Sequence, residues 1–352
     1  MLSTSTVCRG VLAAAIGVAA LAVSACGTDE QSSGSGGKAK VAYVVPGNLG
    51  DGAYLDQLDL GITRGAEKYG LQAQSIEAGN TPTKWAPTMD DTANRGFDAI
   101  VSAGFQVKEL VEQAAAQHPE TKFILDDAAY DPAKCGGCEN IYSITYRYTE
   151  TGYLAGVLAG LLTKTAGERI NSDNVVGFVG GQDIPVIQEY LAGYKAGVKK
   201  VNPQARVISA FAGSWSDPAK GKQLAAGMID QGADIICTAA GGTDNGVFEA
   251  AAAGNAWAIG NTALQTDRPR VNGKLAVLTA METDVTAAQE EAMKLLSEGK
   301  LPVGSTRSLG VKEGINRLVE SPEYKRYVPA DIRQEIAGIV QAIAAGTLKI
   351  DV

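Results

Sequence analysis

The sequence predicts an α/β protein with two parallel sheets, one in each half of the chain, and a solute cleft between them. Apolar strand-like runs alternate with stretches of helical periodicity, the pattern left by parallel strands joined through helical crossovers. That pattern then starts again half-way along. Glycine, at 42 of 352 residues, suits the many tight strand-to-helix turns such a fold needs. With 45% apolar and 20% charged residues, the chain has the balance of an ordinary globular protein. Its length gives room for about two domains.

Residues 1–25 read as an export signal, with Arg9, an apolar run from Gly10 to Val23 and the small residues Ser24 and Ala25 before Cys26. The run falls short of the roughly 20 residues that span a membrane. Residues 26–38 are polar and rich in Gly and Ser, a flexible tether. A plain secretory peptide and an uncleaved anchor remain alternatives. Lys40 to Pro46 then reads as a buried strand, followed by a Gly-Asp loop and a helix with Leu55, Leu58, Ile62, Ala66 and Tyr69 on one face. The plan repeats with a strand at Val175–Val179, a loop at Gly180-Gly181-Gln182-Asp183 and a helix from about Pro185. A tighter match relates residues 96–104 to residues 232–241, each a Gly, an Asp, a strand and a strand-end Gly. In open α/β sheets ligands lie beyond the carboxyl ends of strands, which places Gly47–Ala53, Gly104–Gln106, Gly180–Ile184 and Gly241–Asn245 around one cleft. The tail carries Ile332, Ile336, Ile339, Val340 and Ile343 on one helical face, which packs on one of the halves.

Charge and composition exclude several activities. Lys and Arg number 31 against 39 Asp and Glu, a net −8 that becomes −9 without the first 25 residues, which hold one Arg and no acid. Phosphate backbones need a basic face, so nucleic acid is not an expected partner. The one histidine, His118, reads as a helix-end residue, and a chain without a second has no His-rich metal site. Gly47-Asn48-Leu49-Gly50 is not a dinucleotide fingerprint, and no GxxxxGK[ST] occurs. No cofactor, metal or catalytic dyad is expected. Of the five cysteines, Cys8 lies in the export signal and Cys237 in an apolar strand, while Cys135 and Cys138 flank two glycines in a turn. In an oxidising compartment that pair is most simply a disulfide clip; the redox-motif reading lacks a helix start, and zinc lacks a second ligand pair.

A cleft for a planar solute needs apolar plates and a few directed polar groups. Asp51-Gly52-Ala53-Tyr54-Leu55-Asp56 and Gly213-Ser214-Trp215-Ser216-Asp217-Pro218 supply both kinds. Tyr54 and Trp215 also fit as core or hinge aromatics, and Asp51 and Asp217 as helix N-caps. Asp126-Asp127 ends an apolar strand, where a carboxylate binds hydroxyls or amines or simply makes a turn. Phe105, Gln106 and Gly242 belong to the other cleft loops.

The motifs resemble those of the basic membrane lipoprotein family of ABC transporter substrate-binding proteins, whose type member binds purine nucleosides. The resemblance runs through Gly50-Asp51-Gly52-Ala53-Tyr54, Gly96-Phe97-Asp98, Ala103-Gly104-Phe105, Tyr146-Arg147 with Glu150-Thr151-Gly152-Tyr153, Val176 to Gly181, Gly213-Ser214-Trp215, and Ala239 to Thr243. Val23-Ser24-Ala25-Cys26 likewise resembles a bacterial lipobox, which implies acylation of Cys26. The family implies a type I periplasmic-binding-protein fold of two doubly wound, Rossmann-like lobes, crossed three times. It places the lobes at residues 39–146 plus about 262–289, and 147–261 plus about 290–352. A base would lie between Tyr54 and Trp215, with Asp51 and Asp127 reading polar groups. The chain departs from the family at Tyr54-Leu55, usually Phe-Asn, at Asn261, usually Asp, and at Thr283, usually Lys. The implied protein is a monomeric, lipid-anchored receptor that hands a flat polar solute, first of all a nucleoside, to an ABC permease and its ATPase, with no enzyme activity. A sensor of the same fold and a nucleoside-processing enzyme are the alternatives.

Overall fold

The computed structural model describes residues 38–50, 52–266 and 275–352. The export signal, Cys26 and its lipidation, nearly all of the tether, and Asp51 lie outside the described residues.

Strand β1 (Lys40–Val45) has five of its six residues buried, as a strand covered on both faces of a parallel sheet requires. Helix α1 (Tyr54–Tyr69) follows and ends on Gly70, whose φ of 74° is the left-handed cap that glycine accepts without strain. Then come β2 (Gln72–Glu77), α2 (Trp85–Ala93), β3 (Ala99–Ala103), α3 (Lys108–Gln117), β4 (Lys122–Asp126) and β5 (Ile141–Tyr146). These strands lie parallel in the order β2-β1-β3-β4-β5. The chain leaves through α4 (Tyr148–Leu162) and repeats the plan with β6 (Val175–Gly180), α5 (Pro185–Val201), β7 (Arg206–Phe211), α6 (Pro218–Ile229), β8 (Ala233–Ala239), α7 (Asp244–Ala253), β9 (Trp257–Gly260) and β10 (Val277–Thr283). Their order, β7-β6-β8-β9-β10, is that of the first sheet. The internal repeat read from the sequence is therefore a repeat of topology, with β1 matching β6 and β3 matching β8. Helix α8 (Val285–Ser297) leads to β11 (Ser305–Leu309), which extends the first sheet beside β5. Strand β12 (Asn316–Leu318) then lies antiparallel to β10 at the edge of the second. The chain closes with α9 (Pro322–Tyr327) and α10 (Ala330–Ala344), which buries Ile332, Ile336 and Ile343 and packs on α4.

Residues 262–289 do not go to the first half as one piece. Strand β10 pairs with β9 in the second sheet, so the first half regains the chain only at α8. There Gly61 and Gly65 of α1 lie against Gln289 and Met293, and a Cβ on either glycine would come within 2.9 Å of the facing Cβ. Residues 290–309 are likewise divided from the second half, since β11 joins the first sheet. Backbone pairing, which the periodicity of single segments does not encode, decides both assignments.

Three segments carry the chain between the sheets: one at Arg147, one at Asp284 and one at residues 310–315. They are tied to each other. The Arg147 guanidinium donates to Glu150 at 2.7 Å, Glu313 at 2.5 Å and the Ser308 carbonyl at 3.0 Å, and the Arg147 carbonyl accepts from Asn316 at 2.8 Å. The Asp284 amide donates to the Ile315 carbonyl, also at 2.8 Å. Between α1 and β10, buried Glu282 accepts from Gln57 at 2.9 Å and from the Ala263 amide at 3.1 Å, and it pairs with Arg317.

Helix α4 has thirteen of fifteen residues buried, more than an amphipathic surface helix would. Its Gly152, Gly156 and Gly160, four apart, lie against the backbone of α5 at Tyr190, Tyr194 and Val198, and Gly193 and Gly197 of α5 lie against α4 at Thr149 and Tyr153. A Cβ on Gly156 would overlap the Tyr194 carbonyl, and one on Gly197 the Tyr153 carbonyl. Backbone-to-backbone approach of this kind admits no side chain, so repacking cannot relieve it. We expect Gly156→Val to destabilise the protein by at least about 3 kcal/mol in urea denaturation. By contrast Gly338→Ala, in α10 with no heavy atom within 4 Å of the new Cβ, should stabilise it by up to about 1 kcal/mol.

Candidate functional site

The carboxyl ends of both sheets meet where Thr262, after β9, donates its hydroxyl to the Gly52 carbonyl, after β1, at 3.1 Å. Around this junction lie the loops after β1, β3, β6 and β8, the strands at which the order of each sheet reverses and where open α/β sheets hold ligands.

Two adjacent carboxylates end β4, and they differ. Asp126 is fully buried. Its Oδ1 accepts from the Tyr54 hydroxyl at 2.6 Å, and its Oδ2 from the Tyr146 hydroxyl at 2.7 Å and Gln289 Nε2 at 2.6 Å. Both oxygens are thus committed to protein. Asp127 is half-buried, its φ of 60° lies in the left-handed region, and its Oδ1 accepts from the Tyr148 hydroxyl at 2.6 Å. A non-glycine residue there carries backbone strain, which proteins concentrate at functional sites. Its second oxygen accepts no hydrogen bond from a described side chain or amide.

Tyr148 passes the contact to the second half. Its ring lies 4.6 Å from that of Tyr190 on α5, tilted by 36°. The Tyr190 hydroxyl lies beside Asn261 and 3.3 Å from Thr283 Oγ1, which is 3.2 Å from Thr151 Oγ1. A chain of hydrogen bonds and one ring contact therefore runs from the end of β4 in the first sheet to the ends of β9 and β10 in the second.

Burial is the largest electrostatic influence on these groups. It pushes the Asp126 carboxyl up to about 6 against the pull of its three donors, and the Asp127 carboxyl up to about 8 against that of Tyr148, with Asp126 and Glu189 adding like charge. Burial, reinforced by the carboxylates, also holds the phenols of Tyr54, Tyr146 and Tyr148 well above their ordinary value, so they remain donors.

Of the residues expected at the site, Tyr54, Asp127, Asn261 and Thr283 join this cluster directly or through one partner. Thr283 is buried and bonded to protein, a packing position. Trp215 lies in the second half with its ring against Gly181, where a Cβ would overlap it, and its carbonyl accepts from the Thr243 amide at 3.2 Å. Gly242 is buried in the turn beside it. Phe105 is 62% exposed and Gln106 is exposed at the end of β3, while Leu55 is half-buried with its Cδ1 against Gly47. Among the described residues no ring contact or hydrogen bond joins these three to the cluster. Asp217 is an N-cap, accepting from the Lys220 amide at 2.9 Å, and His118 caps the end of α3. A disulfide joins Cys135 and Cys138 across 5.5 Å of Cα separation. No group of three or more metal-ligating side chains occurs among the described residues, and no described helix is long and apolar enough to cross a membrane.

Sequence reasoning missed Tyr146, Tyr148, Tyr190 and Gln289. The two tyrosines flanking Arg147 were visible as a pair at a strand end, but Tyr190 and Gln289 occupy helix positions that read as packing.

Residues 38–349 match the family model for ABC transporter substrate-binding proteins of the PnrA-like type. The chain belongs to this family. It is 30% identical over 301 residues to a CD4+ T-cell-stimulating antigen of Listeria monocytogenes, covering 82% of this chain and 78% of that one. It is 28% identical over 327 residues to the ABC transporter nucleoside-binding protein BmpA of Lactococcus lactis, covering 87% and 90%. The crystal structure of an ABC transporter solute-binding protein from Aeropyrum pernix K1 superposes with a TM-score of 0.74 at 26% identity, over 88% of this chain and 92% of that one. The protein is thus a substrate-binding protein of the ABC transporter class with the type I periplasmic-binding-protein fold.

Carboxyls raised by burial bind protons more tightly in the folded chain than in the unfolded one. Their stabilising contribution is complete below about pH 4 and is lost as pH rises through about 6 for Asp126 and about 8 for Asp127. Asn tolerates the left-handed backbone at position 127. Between about pH 5 and about pH 8.5 the melting temperature of the wild type should therefore fall relative to that of Asp127→Asn, measured without solute.

Proposed function

We propose that the protein is a lipid-anchored, extracytoplasmic receptor that carries a nucleoside, or a close relative with a flat ring and hydroxyls, to an ABC permease. The observation that carries this reading is Asp127. It is half-buried at the junction of the two sheets, held through one oxygen by Tyr148, with the other engaged by no described residue and available for a hydrogen bond with the solute. Tyr54 and Trp215 would offer their faces to the ring, and stacking contributes about 0.5–1.5 kcal/mol per aromatic pair. The charges that act on Asp127, Asp126 and Glu189, are both acidic. An uncharged nucleoside suits such a site better than its phosphate ester, whose negative charge would be repelled in a poorly solvated place. The nucleoside-binding BmpA of Lactococcus lactis supports the same solute class.

In this reading the two sheets with their helices act as lobes, and the three crossings as the hinge. Closure removes the solute from water and exchanges its water bonds for directed protein bonds. The open and closed forms must lie within a few kcal/mol so that the permease can reverse the trap.

A thermal-shift panel of the folded domain with nucleosides, nucleoside 5′-monophosphates, free bases and pentoses tests the solute, since a ligand of the folded state raises the melting temperature. Nucleosides should give the shift and their monophosphates none, and Asp127→Ala should weaken nucleoside binding about tenfold or more. A shift with pentoses alone, or undiminished nucleoside binding by Asp127→Ala, would rule the reading out. For the anchor, Cys26→Ser should move the protein from the membrane fraction to the soluble one.

A further inference from the structure

Asp126 meets both conditions for a group that acts by placing another. It is fully buried, and its oxygens are occupied by donors from three elements: Tyr54 at the first turn of α1, Tyr146 at the last residue of β5 and Gln289 on α8. No oxygen is left for a solute. Tyr54 itself is half-buried, with its ring packed against the hydrophobic core, and the loop before it is held by Asp56, which accepts from the Gly50 and Gly52 amides at 2.7 and 2.5 Å. Core packing fills one side of the ring, and the hydrogen bond to Asp126 fixes where its hydroxyl end points.

We propose that Asp126 is a positioning residue that acts through Tyr54, locking the orientation of the aromatic ring that faces the solute. The proposal rests on the solute-binding reading given above. A phenylalanine at position 54 offers the same face but no hydroxyl for the carboxylate. Its ring would keep the packing but lose the tether at its outer end, and the solute would have to narrow its orientation on binding. The same carboxylate holds Tyr146, one residue before the first crossing, and Gln289, on the helix that follows the second. The orientation of the Tyr54 ring is thereby referred to the hinge rather than to α1 alone.

The experiment combines a readout that needs no solute with one that does. In protein carrying ring-labelled tyrosine, with the Tyr54 signals assigned by their loss in Tyr54→Phe, the Tyr54 hydroxyl proton of the wild type should exchange with water far more slowly than a free phenol's. In Asp126→Asn, whose one oxygen serves the two donors Tyr146 and Gln289 and leaves the amide nitrogen facing the Tyr54 hydroxyl, the Tyr54 signals should move and exchange faster. Affinity for adenosine and inosine, measured by calorimetry on the same variants, should fall about tenfold in Tyr54→Phe and about tenfold in Asp126→Asn. The double variant should be no weaker than either single one by more than about twofold, because both remove one link. A wild-type Tyr54 hydroxyl that exchanges like a free phenol overturns the proposal without recourse to any variant, even if Asp126→Asn does not fold. So do losses of affinity that multiply in the double variant, the outcome for an Asp126 that only stabilises the fold. A wild type that binds neither nucleoside overturns the solute reading instead, and the tether then stands or falls on the Tyr54 signals alone.

Discussion

A carboxylate with no exposure to water must be answered by donors, because an unpaired buried charge costs more than most folds can tolerate. At Asp126 that requirement draws together α1, β5 and α8. Two of these adjoin crossings between the sheets, and the third begins with Tyr54, just after the loop that follows β1. Meeting the need of one buried group therefore fixes the end of β4, the entry to the first crossing and the exit from the second in one frame. The next residue, Asp127, sits on that frame with its backbone strained and one oxygen engaged by no described residue. The contrast between the neighbours is one of environment alone, since their chemistry is identical.

The frame works because the rest of the chain is stiff. The glycine stripes of α4 and α5 let two helices touch backbone to backbone, and those of α1 let α8 settle against it. Close-packed helices do not slide by small amounts. At the crossings Arg147 with Glu150 and Glu313 binds one crossing to another through groups a third or less exposed. The cluster from Asp127 through Tyr148 and Tyr190 to Thr283 runs past the same crossings.

Much of this was legible in the sequence. The apolar run Lys40–Pro46 and its echo at Val175–Val179 gave β1 and β6 because a strand buried on both faces must be apolar throughout. The Gly-Asp-strand-Gly repeat matched β3 with β8 because equal topology needs equal turns. Asp127 and Tyr54 were reachable for the same reason: carboxyl ends of strands in an open parallel sheet point to one place. Tyr190 and Gln289 were not, since each sits at a helix position that reads as packing, and only partners on other elements, Tyr148 and Thr283 for the first and Asp126 for the second, give it a role.

By itself the sequence determined the α/β class, the doubling of the sheet, the cleft loops and the family, all properties of local periodicity and of the order of motifs along the chain. Tertiary structure alone decided that β10 belongs to the second sheet and β11 to the first, that Asp126 is consumed by protein while Asp127 is not, and that Thr283 packs inside the path. These depend on which distant groups meet in a low-dielectric interior. There, hydrogen-bond partners and backbone pairing are chosen by three-dimensional proximity, which spacing along a chain does not encode.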